Sequence, residues 1–205
     1  MASDEIVRLA IIKKYFDDIK SALDNMALDP ILEVINALQS ARIQRKTVYV
    51  FGNGGSAATA SHCACEFSKG TNHNDVPGLK VIALNDNVPL MTAWANDESY
   101  YQLYARQLEN IIDRGDIALC ISVSGNSTNI LNCIKVARAM GALTVGFTSK
   151  IGGELKNIVD IPVSLPIDNM EQSEDLHLLL THVITTCLRV SALELSVTYK
   201  NRGEQ

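Results

Sequence analysis

Apolar positions along this chain follow two rhythms, and the rhythm changes near residue 47. Over 5–27, Ile6, Leu9, Ile12, Phe16, Ile19 and Leu23 recur every three or four residues, the spacing of one helix face. Asp29-Pro30 marks a second helix start, with Asp as N-cap and Pro in the first helical position, and Ile31, Val34, Ile35 and Leu38 carry its apolar face. Beyond it, short β-branched runs at 47–51, 80–84, 117–122, 143–147 and 160–164 alternate with helical patterns at 55–68, 87–96, 99–112, 127–140 and 152–158. Continuous apolar strands joined by helical crossovers predict an α/β fold. It is a three-layer open sheet of five parallel strands flanked by helices, with an N-terminal helical extension. Gly115 and Gly141 stand where helices should stop.

A long helix at about 171–199 closes the pattern. Leu176, Leu178, Leu179, Leu180, Val183, Ile184 and Leu188 make its middle apolar around most of its circumference. A helix that is apolar on nearly all sides requires cover on nearly all sides. Either the terminal helices both lie on the sheet, or, as we favour, they supply a subunit interface. The expected organisation is one domain over 1–205: helices at 1–45 involved in oligomerisation, then an α/β core over 46–205 that includes the long last helix.

Composition narrows the function classes. The chain has 205 residues, 47% of them hydrophobic, and a formal net charge of −5. With no basic run, it lacks the clustered cations that nucleic-acid binding needs. No apolar stretch approaches a membrane span, and the N-terminus is unlike a secretory signal. The five cysteines, Cys63, Cys65, Cys120, Cys133 and Cys187, are odd in number and lie within predicted helices and a strand. Reduced packing residues in a cytoplasmic protein are the simplest reading.

Two loops carry the chemistry. Gly52-Asn53-Gly54-Gly55-Ser56 follows the apolar run 48–51, and Ser122-Val123-Ser124-Gly125-Asn126-Ser127 follows 117–121. Each leaves a strand and enters a helix. Glycine lets backbone approach an anion, helix-start N–H groups face it, and hydroxyls add donors without charge. Gly52-x-Gly54-x-x-Ala57 also fits a dinucleotide fingerprint, but that wants an acidic residue at the end of the second strand about 20 residues on, and here the second strand ends near Leu84, over thirty residues away, followed by Asn85-Asp86. No Gly-Lys-Ser/Thr of a Walker loop occurs. Plain tight turns would need a glycine or two, not this density of hydroxyl and amide side chains at two strand ends. The residues therefore point to a phosphorylated ligand held by Asn53, Gly54, Gly55, Ser56, Ser122, Ser124, Asn126 and Ser127. His62 and Glu66, four apart on the first crossover helix, share a face close to the first loop. His182 interrupts an apolar stretch, and a lone histidine there is ordinarily a core residue.

These loops resemble those of the SIS (sugar isomerase) family, and more narrowly of its sedoheptulose 7-phosphate isomerases. Gly52 through Ala58 and Ser122-x-Ser124-Gly125-Asn126-Ser127 match the family's two phosphate loops, and Ala95-Asn96-Asp97 matches its Gly-Asn-Asp segment. The resemblance implies a flavodoxin-like SIS fold and an aldose–ketose isomerase working through an enediolate. It implies Glu66 as base and His182 as acid, and places Asn96, Asp97 and Glu174 at the substrate. It also implies His62, Glu66, Glu174 and His182 around a metal, for which this donor set suits zinc. Asp97, Glu171 and Thr128 would position hydroxyls. The same resemblance implies a homotetramer with active sites near subunit interfaces and a role in heptose biosynthesis. A non-catalytic SIS sensor or replication-initiator-associating adaptor is the alternative.

The match departs in places. Thr59 stands for an Asp, Lys69 for an Arg, and Met170-Glu171-Gln172-Ser173-Glu174 for a Thr-Ala-Arg-Ile-Gln-like run. Glu174 thus replaces the usual Gln and puts the substrate and the zinc in question. Glu174 and His182 are also eight residues apart, about 12 Å along a helix axis. One metal held by both requires inward-reaching side chains, a helix beginning after Glu174, or a site shared between subunits.

Overall fold

The computed structural model describes residues 3–73, 76 and 78–203, with side chains from Asp4 through Ala192. Helices α1 (Ser3–Asp24) and α2 (Asp29–Gln44) precede strand β1 (Thr47–Gly52) and helix α3 (Gly55–Lys69). Then come β2 (Lys80–Ala83), α4 (Val88–Asp97), a 3-10 turn at Tyr100–Gln102, and α5 (Ala105–Leu108). The chain continues through β3 (Ile117–Ile121), α6 (Thr128–Ala139), β4 (Leu143–Thr148), α7 (Leu155–Ile158), β5 (Ile161–Ser164) and α8 (Met170–Gly203).

All four strand pairings are parallel and the order is β2-β1-β3-β4-β5, the flavodoxin-like arrangement. Both faces of the sheet are covered. Val48, Val50, Leu119, Ile121, Val145 and Phe147 pack beneath α2, α3 and α8, while Tyr49, Phe51, Ala118 and Cys120 pack against α5, α6 and α7. This double burial is why β3 reads as an unbroken apolar run rather than an alternating one. The strand order reverses between β1 and β3, so the loops leaving these two strands flank the crevice where open α/β sheets take ligands.

Three local expectations are corrected. The first N-terminal residue of α2 is capped by Leu28, not Asp29: the Leu32 N–H bonds the Leu28 carbonyl, and Asp29 sits inside the first turn with no capping bond of its own. The helix expected over 99–112 is broken into the 3-10 turn and the four-residue α5. Leu103, Tyr104, Leu108 and Ile112 all reach the sheet, and the chain bends to bury them. The helix expected over 152–158 shrinks to Leu155–Ile158, because Gly152 and Gly153 adopt positive φ. Cys63, Cys120 and Cys133 are buried as packing residues, and all five thiols are free. Among the described residues, no helix is long and apolar enough to cross a membrane.

Candidate active site

The two loops meet over the β1/β3 junction and enclose a cavity of about 150 Å³. Asn53, Ser56, Ser122, Ser124, Ser127, Met170 and Glu174 line it. At about 30 Å³ per liquid water, the space suits a phosphate group rather than a nucleotide. Helices α3 and α6 both begin at this cavity, so two sets of unpaired helix-start N–H groups and two positive dipole ends converge on it.

The second loop is braced from behind. Gly125 has φ +63°, and a Cβ there would lie 2.0 Å from the Gly152 carbonyl oxygen. The Leu155 N–H bonds the Gly125 carbonyl at 3.0 Å, and the Glu154 N–H bonds Asn126 Oδ1 at 2.9 Å. The Asn126 side chain therefore serves the loop's support and is not part of the cavity lining. The first loop is braced by Tyr104, whose hydroxyl donates to the Gly52 carbonyl, and by Tyr100, whose hydroxyl donates to Asn53 Oδ1 at 3.1 Å. Asn53 and Asn129 tie the two loops together through a reciprocal amide pair, 2.9 and 2.8 Å.

Glu174 stands at the rim, its carboxylate against the Cα of Gly55: a Cβ on that glycine would be 2.3 Å from Glu174 Oε2. From this level α3 and α8 run side by side in the same direction. Seven and eight residues further along, the rings of His62 and His182 meet with their Nε2 atoms 2.9 Å apart and their planes at 81°. Glu66, half-buried, follows one turn on, near Gly70 and Thr185. By helix rise the His pair lies about 10 Å from Gly55.

The expected residues thus fall into three groups. Asn53, Ser56, Ser122, Ser124, Ser127 and Glu174 share the cavity, with Gly54 and Gly55 in its loop. His62 and His182 meet where α3 packs against α8, with Glu66 one turn further along α3. Asn96 and Asp97 lie outside the cavity lining, at the exposed end of α4, where Asn96 Nδ2 donates to Asp97 Oδ1 at 2.8 Å. Among the described residues, no group of three or more His, Cys, Asp or Glu side chains converges as a metal cluster. Sequence reasoning missed Asn129, Tyr100 and Tyr104. Asn129 sits two residues after the loop it stabilises, and that proximity was its one signal.

The SIS domain family profile matches residues 14–149. Phosphoheptose isomerases of Aliarcobacter butzleri and Thermodesulfovibrio yellowstonii are 33% and 36% identical to the chain, over 87% and 78% of its length and 95% and 79% of theirs. The chain belongs to the SIS domain family, on its phosphoheptose isomerase branch. The structure of a phosphoheptose isomerase from Francisella tularensis superposes with a TM-score of 0.82 at 29% identity, covering 89% of this chain and 98% of that one. SIS membership accounts for the paired loops over one sheet junction, because this fold places its β1 and β3 loops side by side.

Proposed function

We propose that this SIS-domain chain is an aldose–ketose isomerase that interconverts sedoheptulose 7-phosphate and D-glycero-D-manno-heptose 7-phosphate. The observation that carries the reading is the layout of the site. The loop cavity stands at the start of α3, the His62–His182 pair lies about 10 Å further along that helix, the reach of a sugar chain with a terminal phosphate, and Glu66 follows one turn beyond. The phosphate anchors one end, and its binding energy holds the reacting carbons at the other. Relatives named phosphoheptose isomerase supply the seven-carbon substrate.

In the ketose-to-aldose direction, Glu66 takes the proton from C1, next to the C2 carbonyl. His182 protonates the oxygen on C2 as the enediol forms. Loss of the O1 proton and return of a proton to C2 then leave the aldehyde at C1. Each transfer needs its donor and acceptor within hydrogen-bond reach. In the metal-free chain the Nε2 atoms of His62 and His182 share one proton, since one ring donates while the other accepts.

Zinc is part of the proposal. Two converging imidazole nitrogens with a carboxylate one turn away are donors this ion prefers, so His62, Glu66 and His182 would hold it, whereas Glu174, beside Gly55 and about 12 Å back along α8, is out of reach of the same ion. When bound, it polarises the substrate carbonyl.

A homotetramer in the cytoplasm completes the reading. Ile6, Leu9, Ile12 and Phe16 on α1 are all more than half exposed, as is Val190 on α8. An apolar groove of Leu178, Leu179, Val183 and Cys187 runs beside His182. Faces this apolar call for cover by another copy of the chain, which puts the His62–His182 groove close to the contact.

The test is incubation of the purified chain with sedoheptulose 7-phosphate, with zinc and after chelation, following aldose formation. Glu66→Gln should abolish turnover. Phosphosugar binding without turnover of any sugar phosphate would instead support a non-catalytic SIS module.

A further inference from the structure

Asn129 is the second residue of α6 and is 2% exposed. Its Oδ1 accepts from the Ile130 backbone N–H at 3.0 Å and from Asn53 Nδ2 at 2.9 Å, and its Nδ2 donates to Asn53 Oδ1 at 2.8 Å. An amide pair is symmetric, so by itself it leaves open which way either amide points. The Ile130 N–H removes that freedom. A backbone N–H only donates, so the Asn129 atom facing it is the oxygen. The other Asn129 atom is then the NH₂ group, and Asn53 must meet it with its own oxygen. Tyr100 donates to the same Asn53 oxygen at 3.1 Å. Both acceptor sites of that oxygen are filled, and one Asn53 N–H is committed to Asn129. The remaining Asn53 N–H is uncommitted, on a side chain that lines the phosphate cavity.

We infer that Asn129 is a positioning residue for anion recognition: through the Ile130–Asn129–Asn53 chain it forces Asn53 to present a donor, never a carbonyl, to the substrate's phosphate. The inference rests on the proposed phosphosugar reading of this cavity. It adds a residue that touches no substrate yet decides the sign of the dipole the substrate meets.

The test is a double-mutant cycle read as the dissociation constant for inorganic phosphate. Asn53→Ala removes the donor and should weaken binding about 10-fold, the worth of one hydrogen bond to a charged group. Asn129→Leu leaves Asn53 free to turn and should weaken it by a similar factor. The double variant should bind no more weakly than Asn53→Ala alone, because Asn129 acts through Asn53. Asn129→Asp keeps the size and the Ile130 contact but presents oxygen to Asn53 on both sides. It should bind phosphate at least as poorly, and it carries the test if the leucine variant does not fold. A purely structural role would give independent, multiplying losses. Multiplying losses, or wild-type affinity in both Asn129 variants, overturn the inference and leave the isomerase reading intact. Phosphate binding by the wild type without isomerisation overturns the isomerase reading alone. A wild-type chain that binds no phosphate overturns both.

Discussion

His62 and His182 are 120 residues apart in sequence, yet their Nε2 atoms lie within 2.9 Å. The contact exists because α3 and α8 run in the same direction side by side, Glu174 beside Gly55 at one level and His182 beside His62 two turns on. It joins the helix that leaves the phosphate loop to the helix that closes the fold.

His182→Ala should therefore lower kcat by about 10²- to 10⁴-fold, the range for loss of a positioned acid–base group. The phosphate cavity, about 12 Å away along α8, should keep its affinity for inorganic phosphate. Steady-state kinetics with phosphate as competitive inhibitor separate the two ends. A parallel loss of kcat and of phosphate inhibition would contradict this division of the site.

Glu174 puts a carboxylate on the rim of the cavity in which we propose the substrate's phosphate binds. Glu174→Gln removes a like charge several ångströms from the bound phosphate. The gain should be about 1 kcal/mol at surface-like screening, or roughly fivefold tighter phosphate binding. Calorimetric titration at low and high salt checks it, and the gain should shrink as salt rises.

Gly125 and Gly54 both have positive φ, but their surroundings differ. A Cβ at Gly54 meets nothing within 4 Å, whereas one at Gly125 collides with the backbone of 152–153. Gly54→Ala should cost about 1–3 kcal/mol of backbone strain. Gly125→Ala should cost more and should also displace the second loop from its brace. Thermal melts with and without phosphate compare the two, and ligand-induced stabilisation should survive better in Gly54→Ala.

His177 is fully buried, its ring stacked against that of Phe147. Burial pushes its imidazole down to about 4, against a smaller opposing contribution from the Thr148 backbone. The unfolded chain then binds a proton near pH 6.5 that the folded chain refuses until about pH 4. The contribution is fully present above pH 6.5 and is lost as pH falls through that window, up to about 3 kcal/mol. Urea unfolding between pH 7 and pH 4 should show the slope, and His177→Leu should flatten it.

Much of this was readable in the chain. Strands β1 and β3 and the loops that follow them were plain, because apolar runs and glycine–serine clusters are local signals. The 99–112 segment was not, since its periodicity is helical while its break is set by how Leu103, Tyr104 and Leu108 reach the sheet. Asp29 looked like a cap because Asp before Pro is a local rule, but the helix already begins at the Leu28 carbonyl. Asn126 reads as a loop amide facing the ligand, and Asn129, two residues past the loop, is not singled out. One turned back to hold the Glu154 backbone and the other forward to hold Asn53, a choice made by neighbours distant in sequence.

By itself the sequence determined the alternation of strands and helices, the glycine-, serine- and asparagine-rich make-up of the two loops at strand ends, and the shared face of His62 and Glu66. These follow from side-chain periodicity and backbone chemistry within a few residues. Only the tertiary structure decided that β1 lies beside β3, that α8 brings His182 to His62 while leaving Glu174 at the phosphate end, and that Asn129 orients Asn53. Those arrangements come from strand pairing, helix packing and buried hydrogen bonds between distant segments, which form only when the whole core closes and so leave no local trace in the chain.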